Sequence, residues 1–222
     1  MSAEDGHMTA IDTVVFDLGG VLADWDPRYL YRQLFDGDDE AMEHFLATVC
    51  TPEWNLAMDA GRSRAEAVQE LVAAHPHHEH LIRAWVERWE DMLGAEIAGT
   101  ADVLAELRAR GVRLLALTNW SAETFPVARQ RFASFAHFEA IVVSGEHGLA
   151  KPDPALFRVL LDRYAVEPAR TAFVDDRADN VEAAVRLGLT GLLFTDPAAL
   201  RTDLVRLGLL DAGPTSPAPA RR

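Results

Sequence analysis

Residues 13–21 read Thr-Val-Val-Phe-Asp-Leu-Gly-Gly-Val, an apolar and largely β-branched run that ends on one acid, Asp17, followed by Gly19 and Gly20. A run of this length and composition is typical of a short buried strand. In an open parallel α/β sheet, ligands bind beyond the carboxyl ends of the strands. The sequence therefore places Asp17 where a carboxylate meets a ligand.

Four further runs have a similar composition, and helical patterns separate them from one another. Together with the first run they give five predicted strands, at Thr13–Phe16, Val112–Leu117, Ala140–Ser144, Thr171–Val174 and Gly191–Thr195. Strands that alternate with helices form parallel sheets covered by helices. The predicted fold class is therefore α/β.

The helices between these strands carry recognisable end signals. Thr100 is predicted to open a helix that stops at Gly111, because glycine suits the left-handed position after a helix. Asp153-Pro154 and Asp196-Pro197 each combine an N-cap residue with proline at the first helical position. These helices are the crossovers that a parallel sheet requires.

The long segment after the first strand has no convincing strand pattern and several helical ones, one of them begun by Ser63 with Glu66 as a capping box. The last residues of the chain are too rich in proline and small side chains to pack, so we expect a disordered tail. The predicted units are a core domain of residues 10–23 and 98–210, an inserted helical domain of residues 24–97, and a tail of residues 211–222.

The composition excludes several classes of partner. The chain has 222 residues and a formal net charge of -14, which opposes binding to nucleic acid or to an anionic membrane surface. No apolar stretch approaches the roughly 18 residues of a membrane helix, and Met1–Met8 is unlike a signal peptide. We therefore expect a soluble cytoplasmic protein. The lone Cys50 is expected to be a packing residue, and no pattern predicts an oligomeric state.

Polar residues follow the predicted strands at three more places. Thr118 and Asn119 offer a hydroxyl and an amide, which suit the oxygens of a bound phosphate. Lys151, held before Pro152, could neutralise both a nucleophilic carboxylate and a phosphoryl group. Taken singly, these residues also fit a turn and a solvated surface lysine.

Asp175 and Asp176 stand side by side at the end of the fourth predicted strand, with Asp179 and Asn180 close behind. Adjacent carboxylates repel each other unless a cation lies beside them, and Mg²⁺ prefers oxygen ligands. The pair therefore indicates a magnesium site, although a solvated acidic turn has the same composition.

The order and spacing of these signals resemble the haloacid dehalogenase superfamily over residues 12–196. Its four motifs match Asp17, Thr118, Lys151 and the pair Asp175-Asp176. The resemblance implies a Rossmann-like core with a parallel sheet and an α-helical cap inserted after the first strand, as in subfamily I. The helical segment at residues 24–97 fits that cap.

The resemblance also implies roles for single residues. Asp17 would be the nucleophile that forms an aspartyl-phosphate, and Thr118 and Lys151 would bind the phosphoryl group. Asn180 stands where many relatives have another acid. The implied Mg²⁺ ligands are Asp17, the carbonyl of Gly19 and Asp176, with Asp175 acting through water.

Gly19 is a departure from most phosphatases of the superfamily, which have a second aspartate there to protonate the leaving alcohol. The 2-haloacid dehalogenase branch also lacks that aspartate, and its nucleophile attacks carbon without a metal. The two carboxylates at 175 and 176 favour magnesium, and the chain is similar to the branch typified by α-D-glucose-1-phosphate phosphatase, which shares the glycine.

Three functions remain open from the sequence. The first is a Mg²⁺-dependent phosphatase that hydrolyses a small phosphorylated metabolite, such as a sugar phosphate, through an aspartyl-phosphate intermediate. The second is a metal-independent 2-haloacid dehalogenase. The third is a catalytically poor family member that binds a ligand or a partner.

The helical insertion should set specificity, because it can close over the core site. Its candidates for contact with substrate are Trp25, Trp54, Asn55 and Arg62. Asp24 and Asp26 are the nearest substitutes for the missing acid, and they equally fit a cap leading into the first insertion helix. The histidine-rich run from His75 to His80 is interpreted as a solvated loop rather than a metal site.

Overall fold

The computed structural model describes residues 10–212 as seven strands and ten α-helices. The strands are β1 (Thr13–Phe16), β2 (Ala23–Trp25), β3 (Leu93–Glu96), β4 (Arg113–Thr118), β5 (Ala140–Val143), β6 (Thr171–Asp175) and β7 (Thr190–Leu193). The helices are α1 (Arg28–Leu34), α2 (Asp39–Thr48), α3 (Pro52–Asp59), α4 (Arg64–Ala74), α5 (Glu79–Glu87), α6 (Ala98–Ala109), α7 (Phe125–Arg131), α8 (Pro154–Arg163), α9 (Ala178–Arg186) and α10 (Pro197–Arg206). Short 3₁₀ turns occupy Pro76–His78, Trp89–Met92, Ala133–His137, Ser144–Glu146 and Pro168–Arg170.

Five of the strands form one parallel sheet in the order β5-β4-β1-β6-β7. The central strand β1 is fully buried, and Phe16 lies opposite Ala116 on one side and Val174 on the other. A strand buried on both faces needs apolar side chains at every position, which is why β1 shows no alternation. The residue after β1, Asp17, therefore emerges between the ends of β4 and β6. The prediction of an α/β fold with a parallel sheet is confirmed.

The predicted strands agree with the observed ones to within two residues at each end, and β1 agrees at both ends. The prediction that residues 24–97 contain no strand was wrong. Ala23–Trp25 and Leu93–Glu96 pair as an antiparallel ribbon, with Ala23 opposite Glu96. Strands of three and four residues are too short to show a period in the sequence.

The helix signals are mostly confirmed. Asp153 and Asp196 accept hydrogen bonds from the first turns of α8 and α10, and Gly111 has φ +77° just after α6. Thr100 is a correction, because α6 begins two residues earlier at Ala98 and Thr100 lies buried inside its first turn. Ser63 accepts a hydrogen bond from the Glu66 amide at 3.4 Å and so caps α4.

We call residues 24–97 the insert. They contain helices α1 to α5, which lie between the two strands of the ribbon. Its core is aromatic: Trp85 packs against Trp25, Tyr31 and Trp54 with ring centroids 5.4–6.1 Å apart. The Tyr31 hydroxyl donates to the carbonyl of Leu81 at 2.8 Å, which ties α1 to α5. The interior of the insert belongs to the same buried apolar cluster as one face of the sheet. The division into core and cap domains stays a prediction.

Several expectations concern the ends and the surface of the chain. Residues 213–222 of the predicted tail and the run Met1–Met8 lie outside the described residues, while Asp211 pairs with Arg110. Cys50 is buried, as expected for a packing residue. No helix within residues 10–212 has both the length and the hydropathy needed to cross a bilayer.

Candidate active site

Asp17 is fixed at the carboxyl end of β1 by hydrogen bonds on both sides. Its amide donates to the carbonyl of Val174 at 2.8 Å, and its Oδ1 accepts from the amide of Leu18 at 2.6 Å. The carbonyl of Leu18 in turn accepts from Leu22 and Ala23, which closes a tight turn behind the acid. Asp17 is 7 % exposed and lines a cavity.

Lys151 is the single lysine of the chain, and it is buried beside Asp17. Its Nζ lies 3.0 Å from Asp17 Oδ1, 2.8 Å from Asp175 Oδ2 and 2.8 Å from the carbonyl oxygen of Leu117. An ammonium has three N–H donors, so each donor has one acceptor here. Burial alone lowers the pKa of Lys151, but Asp17 and Asp175 outweigh it and the pKa is raised. The side chain therefore stays charged at neutral pH.

The backbone of Lys151 is held by the side chain of Asn119. The amide of Lys151 donates to Asn119 Oδ1 at 2.8 Å, and Asn119 Nδ2 donates to the carbonyl of Lys151 at 3.0 Å. Asn119 therefore positions the lysine. One of its two N–H donors is still unused among residues 10–212 and the residue lines the cavity, so its predicted contact with phosphate stays a prediction.

Asp175 is completely buried at the end of β6 and uses both oxygens in hydrogen bonds. Oδ1 accepts from the amide of Arg177 at 2.9 Å, and Asn180 Nδ2 lies within 2.9 and 3.1 Å of the two oxygens. Lys151 takes the remaining direction at Oδ2. Because these donors occupy both of its oxygens, Asp175 mainly orients the lysine. Its action on a metal through water stays a prediction.

Asp176 points the other way, toward the cavity, and it lies very close to Gly20. A Cβ on Gly20 would come within 2.7 Å of Asp176 Oδ2, and Gly20 has φ +74°. Only glycine combines this backbone conformation with this close approach. The second glycine after Asp17 thus makes room for the second carboxylate.

The carboxylates of Asp17, Asp175 and Asp176 form the one cluster in residues 10–212 with oxygens all within 4.8 Å of one another. Burial raises the pKa of Asp17 to about 7 against the opposing effect of Lys151, and Asp175 and Asp176 raise it further. Burial and then Asp175 also raise the pKa of Asp176. Negative charge is in excess here, and a divalent cation would relieve it.

Two buried polar atoms beside this cluster have no hydrogen-bond partner within the described residues, namely Thr118 Oγ1 and Asn180 Oδ1. Thr118 ends β4 next to Asp17 and is fully buried. A buried hydroxyl or amide oxygen without a partner costs free energy, so such atoms commonly await a ligand or water. Within the described chain, Thr118 Oγ1 is therefore an unpartnered hydroxyl beside Asp17. Binding of phosphate by Thr118 and Asn119 stays a prediction.

A cavity of about 860 Å³ separates this sheet edge from the insert. Its wall on the insert side is rich in aromatic and aliphatic side chains, among them Trp25, Leu46, Leu56, Met58, Trp85 and Trp89. The indole N–H of Trp25 is buried and has no partner among residues 10–212. The cavity can therefore hold a molecule with a large apolar or ring-shaped part.

Of the four residues predicted to face the site, Trp25 and Asn55 line the cavity, and Trp54 and Arg62 do not belong to the lining observed for residues 10–212. The indole N–H of Trp54 donates to the carbonyl of Ala67 at 3.3 Å inside the insert. Arg62 pairs with Glu70 on the surface. These two expectations were wrong, because the insert uses both side chains for its own packing and pairing.

Asp24 and Asp26 also fall outside the cavity lining of the described chain. Asp24 accepts a hydrogen bond from the hydroxyl of Tyr29 at 2.6 Å, and Asp26 accepts from the amide of Arg28 at 2.9 Å at the start of α1. The cap interpretation applies to Asp26. The histidine-rich run contributes to no metal-type cluster in residues 10–212, and the ring of His78 packs against Phe45.

Two charged residues of the cavity, Asp59 and Arg64, were not predicted from the sequence. Asp59 ends α3, and Arg64 begins α4 with only 9 % of its surface exposed. Arg64 Nη2 donates to the carbonyl of Val86 at 3.3 Å, and its amide donates to Glu123 Oε1 at 3.0 Å. Neither residue follows a strand, so no sequence signal linked them to the site.

The fold and the site define an α/β protein with a Rossmann-like core, in which an aspartate, a lysine and further carboxylates meet at the edge of a parallel sheet. The chain belongs to the haloacid dehalogenase-like hydrolases, whose family model matches residues 11–188. This confirms the family predicted from the sequence. The finer assignment to the α-D-glucose-1-phosphate phosphatase branch stays a prediction.

Several relatives carry names that describe their activity. The chain is 28% identical over 202 residues to the sesquiterpene phosphatase astK of Aspergillus oryzae, covering 90% of this chain and 97% of that protein. It is 34% identical over 165 residues to a phosphoserine phosphatase of Thermus thermophilus, covering 70% and 64%. A HAD family enzyme of Bacteroides thetaiotaomicron, solved with magnesium and inorganic phosphate, shares the fold at TM-score 0.63 and 22% identity, covering 84% and 95%.

Proposed function

We propose that the protein is a Mg²⁺-dependent phosphatase that hydrolyses a small phosphorylated metabolite through an aspartyl-phosphate intermediate. The observation that carries the proposal is the arrangement at the ends of β1 and β6. Asp17 is held 3.0 Å from the ammonium of Lys151, while Asp176 faces the same cavity and receives none of the three hydrogen bonds of that ammonium. This set combines a nucleophile, a fixed cation and a free metal ligand.

The residues present fit magnesium. Because Gly20 has no Cβ, the carboxylate of Asp176 can lie directly beside its backbone. Asn180 also lines the cavity, and its Oδ1 has no hydrogen-bond partner within the described residues. Asp17, the carbonyl of Gly19 and Asp176 would hold the ion, with Asp175 acting through water. When bound, Mg²⁺ supplies positive charge that offsets the negative charge of a phosphate ester beside two carboxylates.

The reaction then uses groups already in place. The Asp17 carboxylate attacks phosphorus, and the ester oxygen leaves on the opposite side. The Lys151 ammonium neutralises charge on the phosphoryl oxygens, and the unpartnered hydroxyl of Thr118 donates to one of them. Asn119 and Asp175 keep the lysine from moving during this step. Water subsequently releases phosphate from Asp17.

The named relatives support phosphatase rather than dehalogenase activity. Both the astK enzyme and the Thermus enzyme are phosphatases by name, and the first of them is matched over nearly its whole length. The acidic pair Asp175-Asp176 agrees with this, because a metal-independent reaction has no use for the cavity-facing Asp176. A haloacid would also meet repulsion from that carboxylate.

The cavity supports a substrate class rather than one compound. Its tryptophan and leucine side chains suit an alcohol part with an apolar or ring-shaped face, and Asn55 and Arg64 offer polar contacts at the same wall. A sugar phosphate belongs to this class, as does a phosphate ester of a hydrocarbon alcohol. We propose that the insert selects among such esters.

A panel of phosphate esters assayed with Mg²⁺ and with chelator tests the proposal. We expect phosphate release that chelation abolishes, and at least about 10⁴-fold slower release by Asp17→Asn, because the amide cannot attack phosphorus. Circular dichroism of Asp17→Asn checks that the variant is folded. Turnover of 2-chloropropionate in the presence of chelator, without activity on any phosphate, would contradict the proposal.

A further inference from the structure

One carboxylate of the cavity has no assigned role in the proposed reaction and no arginine partner within the described residues. Six acids line the cavity within residues 10–212: Asp17, Glu43, Glu53, Asp59, Asp176 and Asp179. Glu43 pairs with Arg28 and Asp179 pairs with Arg177, and the pairing lowers the pKa of both acids. Glu53 is exposed in the first turn of α3. Asp17 and Asp176 have roles already, which leaves Asp59.

Asp59 is held in place although it belongs to the insert. Its backbone carbonyl accepts from Ser144 Oγ at 2.5 Å, and Ser144 Oγ also accepts from the amide of Trp120 beyond β4. A Cβ on Gly61 would lie 3.1 Å from the carbonyl of Gly145, so the chain after α3 packs directly on the core. The end of α3 is thus attached to the sheet edge that carries the nucleophile.

The carboxylate of Asp59 is equally constrained. Its Oδ2 accepts from Asn55 Nδ2 at 2.8 Å, and the backbone of Ser121 in the loop after β4 lies close enough to lower its pKa. The charged groups that face it are Asp17 at the end of β1 and Arg64 in α4, and Arg64 is shared with Glu123. Asp59 therefore approaches the reaction centre from the side of the insert, opposite the sheet.

The protonation of Asp59 suits proton exchange near neutral pH. Burial raises its pKa to about 7, against the opposing effects of the Ser121 amide, Arg64 and Asn55, and the charge of Asp17 raises it further. A group that exchanges protons near the working pH is the most effective general acid and base. Glu43 and Asp179 lack this property because their arginine partners keep them ionised.

We propose that Asp59 is the general acid and base of the phosphatase reaction, in place of the aspartate that is absent at Gly19. This proposal rests on the function proposed above. In the first step the bond from Asp17 to phosphorus forms, the ester P–O bond breaks, and the Asp59 proton passes to the leaving alkoxide. In the second step the Asp59 carboxylate takes a proton from water as its oxygen attacks phosphorus and the Asp17–phosphorus bond breaks. Both acids return to their starting states.

Two esters with different leaving groups separate the steps. n-Hexyl phosphate needs a proton on its alkoxide, whereas p-nitrophenolate is stable without one. For Asp59→Asn we expect turnover of n-hexyl phosphate to fall about 10²- to 10³-fold. With p-nitrophenyl phosphate we expect a burst of one p-nitrophenolate per enzyme and then slow release, because the second step still lacks its base.

Glu53→Gln is the matched control, since it removes an exposed carboxylate from the same helix and cavity, and it should show neither the loss nor the burst. Asp59→Glu should restore part of the n-hexyl phosphate turnover and abolish the burst. Unchanged turnover in Asp59→Asn, or an equal loss on both esters without a burst, would overturn the role of Asp59. Failure of the wild-type protein to hydrolyse any phosphate ester would instead overturn the proposed function.

Discussion

The two sides of the cavity are built in different ways. On the sheet side, the three N–H groups of Lys151 have partners at the ends of β1, β4 and β6, and both oxygens of Asp175 also accept hydrogen bonds. On the insert side, three tryptophan rings and several aliphatic side chains line the wall, and the N–H of Trp25 has no partner within residues 10–212. A fixed network suits a reaction that must not vary, and a largely apolar surface can accept different molecules. The difference indicates that the sheet edge performs the chemistry and the insert chooses the substrate.

Replacing Lys151 should have the largest effect, because it tests how strictly the sheet side is fixed. Lys151→Met leaves Asp17 and Asp175 buried without a cation, and we expect the free energy of unfolding to fall by about 3–5 kcal/mol. Lys151→Arg keeps the charge, but a planar guanidinium cannot place donors on the three acceptors that an ammonium reaches. Urea denaturation and phosphatase assays of both variants measure this.

Arg163→Met is the control for that experiment, since Arg163 lies at the exposed end of α8, far from the cavity lining. Equal stability of Lys151→Arg and the wild type, with activity retained, would show that the sheet side tolerates variation. The contrast with the insert would then be lost.

The two glycines after Asp17 offer a second test of the sheet side. Gly20→Ala places a methyl group 2.7 Å from Asp176 Oδ2 at a positive φ, and the carboxylate must move away. Displacing a metal-supporting group typically costs about 10–100-fold in metal affinity. Magnesium titration monitored by activity measures the effect. Gly19→Ala should lose less affinity than Gly20→Ala, because its methyl would meet no atom within 4 Å. A larger loss of magnesium affinity in Gly19→Ala than in Gly20→Ala would contradict the close packing of Asp176 on Gly20.

The pH dependence of stability tests how firmly the insert holds Asp59. Burial raises the pKa of folded Asp59 to about 7 from its ordinary value of 3.8, so the folded protein keeps this proton longer than the unfolded chain. Ionisation therefore favours unfolding, and the metal-free protein should lose stability as pH rises from about 4 to 7. In Asp59→Asn this loss should shrink by at least about 1.4 kcal/mol, a tenfold change in the folding equilibrium.

Urea denaturation at pH 5 and pH 8 measures that change, with Glu53→Gln as the control that should leave the wild-type pH dependence intact. If Asp59→Asn has the same pH dependence as the wild type, the carboxylate is more solvated than its position implies. The insert wall would then be looser around its acid than the hydrogen bond from Asn55 suggests.

Trimming the insert wall should have the smallest effect on the reaction itself. Trp25→Ala removes a ring from the cavity, and we expect KM for n-hexyl phosphate to rise about tenfold with little change in kcat. Arg62→Ala removes a side chain that pairs with Glu70 away from the cavity, and KM should stay at the wild-type value. A large fall in kcat for Trp25→Ala would show that the insert takes part in the chemistry more widely than through Asp59.

The sheet side could be predicted from the sequence because strand ends converge by topology. Asp17, Thr118 and Asp175 each lie at the end of an apolar run, and the parallel sheet brings these ends together. Lys151 lies in the loop between β5 and α8, and the pairing of β1 with β4 and β6 was not predicted. The reaction centre therefore needed little knowledge of packing.

The insert side could not be predicted in the same way. Which rings of a helical segment face the cavity depends on how the helices pack. Trp54 and Trp85 are both tryptophans in predicted helices, yet Trp85 lines the cavity and Trp54 donates to Ala67 inside the insert. Arg62 and Arg64 are two residues apart, yet one pairs on the surface and the other is buried at the cavity. The short ribbon of β2 and β3, which connects the insert to the sheet, also left no periodic pattern.

The lone lysine gives the molecule a built-in reporter. Because every other strong cation in the chain is arginine, protein grown with ¹⁵N-labelled lysine would carry a single labelled side-chain nitrogen, located 3.0 Å from Asp17. Its NMR resonance would respond to phosphate binding, to metal loading and to modification of the nucleophile, with no assignment problem. Because the chain has one lysine, reagents selective for the lysine side chain can modify only this buried position. The rate of modification would measure how often the cavity opens.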